Sequence, residues 1–74
     1  MVDTVVLITV EVGTVEKVAK ALESVKEVDS ILIVTGPYDV IALATIHARQ
    51  DYRHFVNAIH QIDGVTRTET CLAI

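Results

Sequence analysis

Apolar residues recur along this chain with two different periods. Val5 to Val12 is short, β-branched and almost wholly apolar, which predicts a strand. Gly13-Thr14 then breaks the run, Thr14 being a candidate helix N-cap and Glu16 a first-turn anion that suits the helix dipole. Val15, Val18, Ala19, Leu22 and Val25 follow at helical spacing, with Glu16, Lys17, Lys20, Glu23 and Lys26 on the other faces. Glu16 and Lys20 form an i,i+4 pair in the favourable order. Val28 to Thr35 predicts a second strand, Gly36-Pro37-Tyr38-Asp39 a tight turn, and Val40 to His47 a third strand. Asp51 is the candidate N-cap of a second helix, whose apolar face is Tyr52, Phe55, Val56, Ile59 and Ile62. Asp63-Gly64 ends that helix, glycine supplying the positive φ of a C-cap. Val65 to Ile74 predicts a fourth strand.

The two helical faces share one template and begin at Val15 and Tyr52, half the chain length apart. The chain therefore reads as two strand–helix–strand units joined by a tight turn. The predicted fold class is α+β, a ferredoxin-like β-α-β-β-α-β sandwich with an antiparallel four-stranded sheet. Right-handed crossovers put both helices on one face of that sheet. In the first strand Val5 and Leu7 point one way, and Val6, Ile8, Val10 and Val12 the other. In the third, Val40, Ala42, Ala44 and Ile46 oppose Ile41, Leu43 and Thr45. Helices can cover only one of two apolar faces, so a dimer through the sheets is expected.

Composition strengthens that expectation. At 74 residues and 8.1 kDa the chain is a single domain, 1–74, and small enough that a lone monomer would be marginal. Yet 51% of its residues are hydrophobic and the mean hydropathy is +0.49, which excludes disorder and favours an oligomer. The net charge of −4 offers no basic patch for phosphates, so no direct nucleic-acid contact is expected. The start of the chain lacks a basic segment and its apolar runs are too short for a signal core or a membrane span. Cys71 stands alone, so neither an internal disulfide nor a cysteine-built zinc site is available. A cytoplasmic protein with no membrane partner is expected.

Two segments could carry chemistry. In Val34-Thr35-Gly36-Pro37-Tyr38-Asp39-Val40, glycine permits close backbone approach and proline stiffens the turn. Tyr38 offers a ring with a hydroxyl, Asp39 a carboxylate for an ammonium group, and the turn N–H groups a nest for a carboxylate. That set suits a free amino acid; an ordinary hairpin turn with an edge tyrosine is the alternative. The second segment is Gly64-Val65-Thr66-Arg67-Thr68-Glu69-Thr70. Thr66, Thr68 and Thr70 would share one face as a row of hydroxyls, or serve only as good strand formers, with Arg67 and Glu69 paired on the other. His47, His54 and His60 lack the spacing of a metal site and read as surface or interface residues, with no metal or cofactor expected. Cys71 reads as a small buried hydrophobe.

These two segments together, separated by an amphipathic helix, resemble the ligand-binding domain of the Lrp/AsnC regulators, the RAM module for regulation of amino acid metabolism. The resemblance covers nearly the whole chain. It implies a β-α-β-β-α-β fold, pairing through the sheets, and assembly of dimers into octamers or decamers. It implies amino acids bound between dimers, with Thr35, Gly36, Pro37, Tyr38 and Asp39 as one wall and Thr66, Thr68 and Thr70 nearby in a neighbouring subunit. Full-length relatives carry a helix-turn-helix before this module. No such segment precedes the first strand here, so a stand-alone domain is expected.

The expected function is therefore a non-enzymatic amino acid sensor and oligomerising module in transcription regulation, with no catalytic residues. A second reading is a structural partner that tunes assembly of a full-length Lrp/AsnC regulator. A third is a small enzyme on a dimeric ferredoxin-like barrel using His47, His54 or Tyr38. It would need polar groups on the sheet face, where Val6, Ile8, Val10, Ile41 and Leu43 offer almost none.

Overall fold

A computed structural model describes all residues, 1–74. Its elements run β1 (Thr4–Val10), α1 (Val15–Leu22), β2 (Val28–Ile33), β3 (Val40–Ala44), α2 (Arg49–His60) and β4 (Val65–Leu72). The four strands form one antiparallel sheet in the order β2-β3-β1-β4. This is the expected β-α-β-β-α-β ferredoxin-like arrangement.

The core explains the strand alternation. Val6 and Ile8 of β1 and Val40, Ala42 and Ala44 of β3 are buried with Val18 and Leu22 of α1 and Phe55 and Ile59 of α2. Both helices thus cover the same sheet face, α1 over β2 and β3 and α2 over β4. The small alanines of β3 and the large Phe55 of α2 are both fully buried in this core. Each fully buried large side chain stabilises the fold by roughly 1.5–3 kcal/mol.

The opposite face carries Val5, Leu7 and Thr9 of β1, Ile41 and Leu43 of β3, and Leu32 of β2, which is 52% exposed. Opposite β1 on β4 stand Arg67, Glu69 and Cys71. The residues set against a catalytic barrel are corrected accordingly. Val6 and Ile8 lie under the helices and Val10 packs against the same core, and the open face has an apolar centre with a charged and hydroxylated margin along β4. Cys71 is exposed on that margin rather than buried.

Several element ends also differ from expectation. β1 stops at Val10, leaving Val12 fully exposed, because Glu11 to Gly13 already turn toward α1. β3 and β4 end before His47 and Ile74. Thr14 occupies the N-cap position of α1, but its hydroxyl donates to the Glu11 carbonyl at 2.7 Å instead of accepting from the helix. In α2 the N-cap is Ala48, so Asp51 lies inside the first turn, where its charge still meets the positive helix end.

Gly64 does not cap α2, which closes at His60 with Gln61 following. Its role is steric. At φ 106° it is buried, and a Cβ built there would lie 2.9 Å from Thr14 Oγ1 and 3.1 Å from Val18 Cγ2. The entry to β4 therefore presses directly against the start of α1, tying the two halves together. Lys17 and Asp63 add an exposed ion pair at 2.8 Å across the same junction. Each partner shifts the other, holding Asp63 below the usual carboxylate range and Lys17 above its own.

Gly64→Ala is expected to cost about 2–4 kcal/mol, backbone strain adding to overpacking. Gly36→Ala, at φ 119° with open space where the Cβ would go, meets only the backbone part. Urea unfolding of both variants checks this. Equal losses would remove the packing role of Gly64.

Candidate functional site

The turn between β2 and β3 is held by its own backbone and by one carboxylate. Val34 N–H donates to the Asp39 carbonyl at 3.0 Å, closing the loop, and Asp39 N–H donates to the Ile8 carbonyl at 2.9 Å. Asp39 Oδ2 accepts the Val10 N–H at 2.9 Å. β3 begins at Val40, opposite Ile8, so Val10 has no carbonyl across from it on that side. The Asp39 side chain supplies the missing acceptor. Its other oxygen, Oδ1, makes no hydrogen bond within the chain.

Tyr38 follows the open sheet face. Its hydroxyl donates to Glu69 of β4, which holds the phenol above its usual range. Arg67 Nη2 lies 3.7 Å from Glu69 Oε2, so the expected Arg67–Glu69 pair forms. Thr35, Gly36 and Pro37 are exposed at the tip of the turn.

The three threonines do not form a single row, which corrects the expectation. The β1–β4 register shifts between Thr9 and Val10, leaving Thr66 as the extra residue of a bulge. Its hydroxyl bonds to the Thr9 carbonyl and lies 3.1 Å from the Thr9 hydroxyl, toward the open face. Thr68 and Thr70 stand opposite Ile8 and Val6, on the helix side. The Thr68 hydroxyl lies 2.7 Å from His60 Nε2. A bulge is set by pairing between strands far apart in sequence, and strict alternation along β4 could not reveal it.

The candidate residues therefore fall into two groups within one chain. Thr35 to Asp39 and Thr66 lie at one end of the sheet and toward its open face, with Thr68 and Thr70 under α2. None of the three main hollows of the chain is lined by both groups.

Two of those hollows flank α2. The larger, about 520 Å³, lies among Asp3, Ile46, His47, Arg49, Tyr52 and Leu72. Asp3 Oδ1 there accepts the buried Thr4 hydroxyl at 2.8 Å and the Ile46 N–H at 3.1 Å, and these bonds hold its carboxyl below the usual range. The smaller, about 380 Å³, is lined by Arg49, Tyr52, Arg53, Val56, Asn57 and Thr70. Arg49, Arg53 and Asn57 are not among the sequence candidates. The spacing 49, 52, 53, 56, 57 marks one helix stripe beside the apolar face, and that signal is legible in the sequence.

Removing the Asp39 acceptor leaves the Val10 N–H unpaired. Asp39→Ala is expected to lower stability by about 1–3 kcal/mol, and Asp39→Asn, which keeps an oxygen in place, by less. Chemical denaturation of the two variants checks this; equal losses would show that the Val10 bond contributes nothing.

Known proteins share both the sequence pattern and the fold. The family model described as the Lrp/AsnC ligand binding domain matches residues 3–74. An uncharacterised HTH-type transcriptional regulator of Pyrococcus furiosus is 32% identical over 60 residues, 81% of this chain and 40% of that protein. The chain spans about two fifths of the length of the curated relatives it matches. Among solved structures, a protein from Thermus thermophilus superposes with a TM-score of 0.92 at 32% identity, covering 100% of this chain and 94% of that one. A transcriptional regulator of Neisseria meningitidis, in complex with L-Met, shares the fold with a TM-score of 0.86 at 17% identity, covering 99% of this chain and 49% of that one.

Proposed function

The chain belongs to the family of Lrp/AsnC ligand binding domains, and on that premise we propose that it is a non-enzymatic effector sensor for a free amino acid, working as an oligomer in the cytoplasm. The observation that carries this reading is the state of Asp39. One oxygen is fixed by the Val10 N–H, which orients the carboxylate, and the other is free to accept an α-ammonium. Turn N–H groups beside it suit the α-carboxylate. The complex of the Neisseria meningitidis regulator with L-Met supports an amino acid as the ligand class.

The separation of the candidate residues supports a site shared between chains. In this reading Thr35, Gly36, Pro37, Tyr38 and Asp39 come from one subunit and Thr68 and Thr70 from a neighbour, while Thr66 stands on the same side of the sheet as the turn. A ligand seated there binds the assembled state better than the separate dimers, so it shifts the assembly equilibrium by that difference. The signal passes to a DNA-binding region, in the same polypeptide or in a partner regulator.

Pairing through the open sheet face would bury Leu7, Ile41, Leu43 and Leu32 and leave Arg67 and Glu69 at the rim. That distribution, an apolar centre with a charged margin, is the ordinary anatomy of a protein interface. Leu43→Lys places a charge at its centre, and monomers are expected by size-exclusion chromatography with light scattering. An unchanged oligomer would move the dimer contact elsewhere.

The ligand reading is tested by a thermal-shift panel of the twenty amino acids. Free ligand at about 100 times its dissociation constant stabilises a site by roughly 2.7 kcal/mol. One amino acid, or a few related ones, should raise Tm, and Asp39→Asn should abolish the rise while remaining folded. No response to any of them in an assembled protein would favour a structural partner over a sensor.

A further inference from the structure

The hollow between α2 and β4 has an unusual electrostatic character for this protein. Acidic residues outnumber Lys and Arg ten to six over the whole chain, yet two of those six cations, Arg49 and Arg53, line this one space. No carboxylate lines it with them. The chain's two ion pairs are Lys17–Asp63 and Arg67–Glu69, so neither guanidinium is neutralised by a side chain. They sit one turn apart on α2, at i and i+4, where like charges repel. This arrangement raises the folded state's energy slightly and is relieved by an anion between them.

The rest of the lining fits a small polar molecule. Tyr52 and Val56 supply an apolar wall, and Thr70 and Asn57 supply a hydroxyl and an amide. The volume of about 380 Å³ lies at the small end of the range for ligand sites, roughly 300–1,000 Å³. The planar fork of a guanidinium matches a carboxylate with two parallel hydrogen bonds. The larger neighbouring hollow shares Arg49 and Tyr52 but contains Asp3, so an anion is favoured in the smaller one. The net charge of −4 disfavours an extended polyanion on the same surface.

Thr70 links this hollow to the candidate effector site, since it belongs to both. We propose that the groove between α2 and β4 reads the side chain of the effector through Arg49 and Arg53, and that the effector is an amino acid with an acidic side chain. This inference deepens the proposed function and rests on it through Thr70. Arg49 and Arg53 hold the side-chain carboxylate, and Asn57 and Thr70 complete its hydrogen bonds.

The test compares L-glutamate with L-glutamine and L-aspartate with L-asparagine by isothermal titration calorimetry on the assembled protein. Each pair differs by one charge at nearly constant shape. An acid should bind more tightly than its amide by on the order of tenfold to a hundredfold, the scale of a charge-assisted hydrogen bond. The R49Q/R53Q double variant should remove that preference. Both side chains are exposed and free of ion pairs, so the variant is expected to fold, and a Tm without ligand no lower than that of the parent verifies it. Tighter binding of a neutral amino acid would overturn the acidic-ligand inference and leave the sensor reading standing. A preference for acids that survives in R49Q/R53Q would overturn the role of the groove alone. Absence of binding by any amino acid would overturn both.

Discussion

The sheet of this molecule has two apolar faces, and its two helices cover the same one. Val6, Ile8, Val40, Ala42 and Ala44 receive Val18, Leu22, Phe55 and Ile59, and the core closes there. The strand period of two then forces Val5, Leu7, Ile41 and Leu43 to the far side. Neither helix reaches them. The proposed pairing would resolve the imbalance, covering the apolar centre while leaving Arg67 and Glu69 in contact with water.

The same geometry separates the groups that would touch a ligand. Asp39 and Tyr38 follow the hairpin turn, anchored to β1 by the Val10 N–H and to β4 by Glu69. Thr68 and Thr70 face α2, since they stand opposite the buried residues Ile8 and Val6. In the proposed reading, a site using both groups would be completed by a neighbouring chain. Pairing and ligand capture would, in that reading, both follow from a single-layered helical cover, and effector binding would be coupled to assembly.

Asp39 has a structural role independent of any ligand. Its carboxylate completes the backbone hydrogen bonding of β1 where β3 has ended, and this fixes the direction of the remaining oxygen. Gly64 is the comparable constraint for the fold. It lets the start of β4 lie against Thr14 and Val18, so that the two strand–helix–strand halves share one junction rather than merely adjoin. The Lys17–Asp63 pair spans that junction at the surface, too exposed to do more than assist.

By itself the sequence determined the number, order and type of elements, the residues of each helical face, and the inward and outward sets of β1 and β3. These are properties of local periodicity, and burial of one face enforces them. It also marked the Gly36 to Asp39 turn, whose residues have strong local backbone preferences. Only the tertiary structure decided where Thr66 points, since a bulge depends on register between β1 and β4. The exposure of Cys71 depends on which side of a strand is left uncovered, and the role of Gly64 on what packs against it from α1. The grouping of Arg49 and Arg53 with Thr70 arises in the same way, from docking α2 on β4. Local spacing fixes which residues share a face; only packing fixes what that face meets.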